Sequence, residues 1–140
     1  MTRARIGYVV PVLMSADIER TAGYYSSVLG FQVVEHHEDA ERFVALYRDN
    51  VEILVVQARR GEVETNSSRF GAGYDAYIGP DDLEGVDLLH AEFVERGARI
   101  LVGPRRTPYG SYEFVVQDID GRRIGVGRIL NGVAPQGRAR

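Results

Sequence analysis

Apolar residues along this chain fall into short alternating runs, interrupted twice by a stretch with helical spacing. From Val10 to Phe31 an extended apolar run breaks at Ser15, and Ile18, Ala22, Tyr25 and Leu29 then recur every three or four residues. The pattern predicts a strand over 5–14, with Pro11 placing it at an edge or a join, followed by a helix. Asp17 stands where a side chain can accept the unpaired N–H groups of the first turn. Gly30 stands where a left-handed closing residue is needed. Strands follow at 31–35, 43–47 and 51–57, with a turn over HHEDAER and a tight turn at 48–50. The first part of the chain therefore reads βαβββ.

The same order returns after a polar connection. A strand over 74–78 leads to a helix capped by Asp81 or Asp82 and closed by Gly97. Its apolar stripe carries Leu83, Val86, His90, Phe93 and Val94. Strands are predicted at 99–102, 112–117 and 123–130. The helix caps, the closing glycines and the last strands recur at offsets that drift slowly, as loop insertions produce. The fold class is therefore α+β: two βαβββ modules, 5–57 and 74–130, form an open curved eight-stranded sheet with one helix per module on its convex side. The connection 58–73, ARRGEVETNSSRFGAG, is expected to be a flexible link that joins the modules or covers a site, and 131–140 a mobile tail.

Composition narrows the chemistry. A chain of 140 residues without cysteine has no disulfide framework, thiolate nucleophile or cysteine-ligated metal. A net charge of -3 offers no basic field for a nucleic acid. No leader-like segment or membrane-spanning run is present, so the expected setting is the cytoplasm, with neither membrane nor nucleic acid as partner. Of the three histidines, His36 and His37 read as part of a solvated turn, one of them able to reach a cavity mouth, and His90 as a packed helix residue.

VPVL followed by LGF, then RFVALYRDN, TPYGSYEFVVQDIDG and the final strand resemble the glyoxalase, bleomycin resistance and dioxygenase (vicinal oxygen chelate) superfamily, and within it the bleomycin-binding resistance proteins. The resemblance implies a homodimer with two cavities at the interface, often with exchanged N-terminal strands. It also implies a divalent metal site in the superfamily's enzymes. The corresponding positions here are Val10, Glu52, Asp75 and Gly125, which leave two oxygen ligands at most, so neither a metal nor another cofactor is expected. The positions facing the expected cavity are Val12 and Met14, Glu52 and Leu54, Asp75 and Tyr77, and Gly125 with Gly127. The two glycines would widen the space for a bulky guest. Tyr109 falls where the bleomycin-binding proteins carry an aromatic that stacks on the drug, and Phe43 on another aromatic wall, with Tyr47 and Tyr112 as further candidates.

Two functions are compatible with this arrangement. One is non-catalytic sequestration of an antibiotic or related aromatic natural product. Proteins that hold the cationic drug bleomycin resemble one another in strong acidity, whereas this chain is mildly acidic, which points to a neutral, flat guest. The other is a glyoxalase-like lyase, isomerase or dioxygenase, either with an unusual metal ligand set or metal-free with Glu52 or Asp75 as general base.

Overall fold

A computed structural model describes residues 2–38 and 41–130. The element order is β1 (Val12–Ser15), α1 (Ile18–Ser27), β2 (Gln32–Glu38), β3 (Glu41–Arg48), β4 (Val51–Gln57), α2 (Asn66–Phe70), β5 (Ala76–Ile78), α3 (Glu84–Glu95), β6 (Arg99–Arg106), β7 (Ser111–Gln117) and β8 (Arg123–Ile129). The eight strands form two four-stranded sheets of identical design, β1-β4-β3-β2 and β5-β8-β7-β6. In each, the first strand pairs parallel to the last at one edge, and the helix carries the chain across to the opposite edge.

Alternation decides which face each residue takes. In β4, Ile53 and Val55 are buried while Glu52, Leu54 and Val56 are half-buried, so the odd positions pack beneath the helices and the even ones line the other face. One continuous core joins both modules, running from Leu13, Ile18, Tyr25 and Phe31 through Leu46 and Val55 to Phe93, Phe114 and Val126.

Polar links fasten the modules together. Arg48 at the end of β3 donates from Nη1 and Nη2 to the two carboxylate oxygens of Glu92 in α3, at 2.7 and 2.9 Å. The Tyr24 hydroxyl donates to the Gln117 carbonyl oxygen (2.8 Å), and that of Tyr25 to Asp118 Oδ2 (2.7 Å). Asp118 in turn pairs with the buried Arg122 at 3.1 Å. The Asp118 carboxylate is met from several sides, by the Tyr25 hydroxyl, the Asp120 and Arg122 backbone N–H groups and Arg122 Nη1, whereas the buried Arg122 Nη2 has no hydrogen-bond partner among the described residues.

The caps follow the sequence in α1, where Asp17 accepts from the Arg20 N–H at 3.2 Å and Gly30 takes φ 77°. In α3 the residue directly before the helix, Leu83, makes no side-chain cap, and it is Asp82, one residue earlier, whose Oδ1 accepts from the Gly85 N–H of the first turn at 3.0 Å.

Three expectations are corrected. The first strand spans only Val12–Ser15: the Pro11 carbonyl still accepts from the Leu54 N–H at 3.0 Å, but 5–10 find no ladder among the described residues. Ile6, Tyr8 and Val9 there are 92, 81 and 85% exposed. The connection is built around α2, whose capping box joins Thr65 and Ser68 and which ends at Gly71 with φ 76°. It is tied down by the Asn66 N–H donating to Asp75 Oδ1 (2.9 Å) and by Asn66 Nδ2 donating to the Tyr74 carbonyl (3.0 Å). β2 runs through His36 and His37, where a turn was expected. The tail 131–140 lies outside the described residues.

Candidate functional site

The faces turned away from the helices carry the candidate site. On the first sheet the register aligns three rows: Val12, Leu54, Ala45 and Val34; Met14, Val56, Phe43 and His36; and Glu52 with Tyr47 and Gln32. Val12, Met14, Val34 and Tyr47 are 56, 45, 38 and 38% exposed, so this face is a shallow apolar surface open to solvent. The His36 and Phe43 rings stack at 4.6 Å with only 6° between their planes, which places His36 on the face rather than in a turn. Glu52 Oε2 accepts from the Tyr47 hydroxyl at 3.2 Å.

The second sheet is built differently. Its centre is Glu113, a buried carboxylate that takes four hydroxyl hydrogen bonds. Oε1 accepts from Ser111 at 2.6 Å and from Tyr77 at 2.9 Å. Oε2 accepts from Tyr109 at 2.5 Å and from Tyr74. Burial pushes the acidity of Glu113 the other way, but the hydroxyls of Ser111, Tyr109, Tyr74 and Tyr77 prevail and hold its pKa below the ordinary 4.5. Tyr74 and Tyr77 are pushed up, first by burial and then by their bonds to Glu113, so both stay protonated donors.

Glycine makes this arrangement possible. A Cβ on Gly125 would lie 2.6 Å from the Tyr77 ring and 2.8 Å from that of Tyr74. On Gly127 it would lie 2.4 Å from the Glu113 Cβ and 2.5 Å from the Tyr112 carbonyl oxygen. The expectation that these glycines widen the cavity for a guest is thus corrected: phenol rings of the same chain occupy the space.

The expected site residues divide accordingly. Val12, Met14, Phe43, Tyr47, Glu52 and Leu54 share the open face of the first sheet. Tyr77, Tyr109 and Gly125 meet around Glu113 on the second, and the Tyr109 ring remains 58% exposed. Tyr112 is turned to the opposite side, where its hydroxyl donates to Asp87 in α3 at 2.6 Å, so it does not share this surface. Asp75 accepts from the backbone N–H groups of Asn66 (2.9 Å) and Arg123 (3.3 Å), a positioning role between α2 and β8. His90 meets Phe114 edge-on at 5.2 Å within the helix layer, as its place in the helix pattern indicated.

Sequence reasoning missed Glu113, Tyr74 and Ser111. A signal was present in SYEFVV: an acid at an inward position of a central strand has to be paired, and serine stands two residues before it on the same face.

Two cavities open on this side. One, of about 420 Å³, lies against the second sheet and is lined by Tyr74, Leu101, Val102, Arg105, Val115 and Arg123. The other, of about 350 Å³, lies where the connection passes the first sheet, and its lining includes Val12, Met14, Arg60, Glu64, Asp75 and Arg122. Among the described residues no three His, Asp or Glu side chains converge as a metal site would require.

Comparison with known proteins adds the family. The fold is shared with an antibiotic-binding protein, TnmS3, from Streptomyces sp. CB03234, at 21% identity and a TM-score of 0.65 over 91% of this chain and 99% of that one. It is shared with an integron cassette protein from V. cholerae at 25% identity and a TM-score of 0.61, over 90% of this chain and 98% of the other. A glyoxalase/bleomycin resistance protein/dioxygenase from Nocardioides is 15% identical with a TM-score of 0.67, over 96% of this chain and 90% of that one. Curated protein sequences give no match. The Glyoxalase/Bleomycin resistance protein/Dioxygenase superfamily model matches residues 5–126, and with that the chain belongs to this superfamily.

Proposed function

We propose that the protein is a non-catalytic binder that sequesters an aromatic natural product of the antibiotic type, acting as a cytoplasmic homodimer. The observation that carries this reading is the pairing of exposed apolar and aromatic surface with a carboxylate that cannot do chemistry. Met14, Tyr47, Tyr77 and Tyr109 offer ring and hydrocarbon faces to solvent, while both oxygens of Glu113 are taken by hydroxyl donors. A general base needs a free lone pair within reach of the substrate proton, and Glu113 has none to spare. Ring faces add about 0.5 to 1.5 kcal/mol each beyond the burial of area, and they accept varied flat partners. A structural neighbour described as antibiotic-binding supports the same reading. The exposed Ile6, Tyr8 and Val9 support the dimer, since an apolar segment of this kind is stabilised by pairing with a second chain.

Calorimetric titration with a panel of flat aromatic antibiotics, followed by mass analysis of the recovered guest, tests the proposal. The expected result is saturable binding of at least one member and its recovery unchanged. Conversion of the tightest binder to a product would establish an enzyme instead. Loss of that conversion in Glu52→Gln would then identify Glu52, the carboxylate with a single hydroxyl partner, as the base.

A further inference from the structure

The cavity against the second sheet is ringed by charge of one sign. Arg105 in β6 and Arg123 at the start of β8 both line it, and among the described residues neither guanidinium has a hydrogen-bond or ion-pair partner. Arg99 stands in the same lateral row as Gln117 and Arg123, at the edge of this face. The floor between the arginines is apolar, made by Leu101, Val102 and Val115, with Tyr74 at one side.

The carboxylates that could neutralise these charges are engaged elsewhere. Glu113 lies directly across the ladder from Arg105, yet it is sealed beneath the phenols with both oxygens occupied. Asp75, beside Arg123, is turned to two backbone N–H groups. Glu113 and Asp75 keep their charge, but Arg99, Arg105 and Arg123 outnumber them at this face, so the local balance is positive although the whole chain carries -3. Arg105 and Arg123 stand two strands apart and four ladder positions apart, a backbone separation of about 16 Å from the spacings of a sheet. Both line the cavity, and the span between them suits a molecule of a few fused rings.

We propose that the guest of this cavity is a flat aromatic acid, its carboxylate or phenolate held by Arg105 and Arg123 while its ring lies against Tyr74, Leu101, Val102 and Val115. The inference rests on the reading of the protein as an aromatic-ligand binder and names the class of ligand. It replaces the neutral guest expected from overall charge, because local charge and not net charge is what the ligand meets. Guanidinium suits the task, since its planar fork binds a carboxylate through two parallel hydrogen bonds and is weakly hydrated for a cation.

Anthraquinone-2-carboxylate and its neutral carboxamide serve as matched probes, titrated into the wild type and into an Arg105→Gln, Arg123→Gln double variant at low and high salt. The wild type is expected to prefer the acid by about tenfold, equivalent to about 1.4 kcal/mol, with the preference shrinking as salt rises. In the double variant the preference should fall to about twofold or less while carboxamide affinity holds. Both arginines are exposed, so the variant is expected to melt like the wild type, which separates lost recognition from lost folding. Equal binding of the two probes by the wild type, or a preference that survives in the double variant, overturns the acidic-ligand inference and leaves the sequestration reading standing. Binding of neither probe overturns both.

Discussion

Glu113 shows how one residue sets the character of a surface. A carboxylate at an inward position of a central strand is costly to bury, and here the cost is met by three phenols and one serine hydroxyl. Glu113 is held below 4.5, so its contribution is present above the unfolded value and is lost as pH falls through the folded one. Tyr74 and Tyr77 are raised above 10.0, so theirs is complete below the unfolded value and is lost as pH rises toward the folded ones. The cage is therefore at full strength between roughly pH 5 and pH 9. Glu113→Gln, which supplies one acceptor oxygen and adds two N–H donors among hydroxyls, should lower unfolding free energy by about 1 to 3 kcal/mol at neutral pH. Urea unfolding of the two proteins across the pH range should show the difference narrowing at the acid end.

At the scale of elements, β8 is defined by what it lacks. Gly125 and Gly127 let Tyr74, Tyr77 and Glu113 close over the strand, and Gly79 comes near enough that a Cβ there would sit 2.2 Å from the Gly127 carbonyl oxygen. In Gly127→Ala the new methyl would meet a backbone oxygen that cannot swing aside, as well as the Glu113 side chain. A loss of about 1 to 3 kcal/mol is expected from such overpacking, together with weaker protection of the β7–β8 amides, measurable by hydrogen exchange. The strand itself was legible from alternation, and so were β3, β4 and β7 to within one or two residues, because each has a buried face that fixes its period. α2 was not legible: NSSRF buries nothing, so no apolar period marks it, and its helical turn is held by Thr65, Ser68 and Asp75.

The whole molecule is two copies of one plan sharing a core, with an N-terminal segment that makes no ladder with the described residues of its own chain. Ile6, Tyr8 and Val9 are the largest apolar residues exposed there, next to the edge strand β1. Under the proposed dimer this segment is an inter-subunit element. Deleting residues 2–9 should then shift sedimentation from dimer to monomer while leaving the circular dichroism of the folded modules intact. An unchanged dimer would move the interface elsewhere.

By itself the sequence determined the duplicated βαβββ plan, the caps of α1 and the faces of most strands. Those properties depend on spacing along the chain, and spacing is written in the residues. Only the tertiary structure decided which residues form the site. It filled the space left by Gly125 and Gly127 with tyrosines, turned Tyr112 toward α3, and used Asp75 to hold backbone. It also brought Arg105 and Arg123 to one cavity while sealing Glu113 away from them. Charge and volume at a site depend on which side chains meet across strands far apart in the chain, and on which of them spend their hydrogen bonds on one another first.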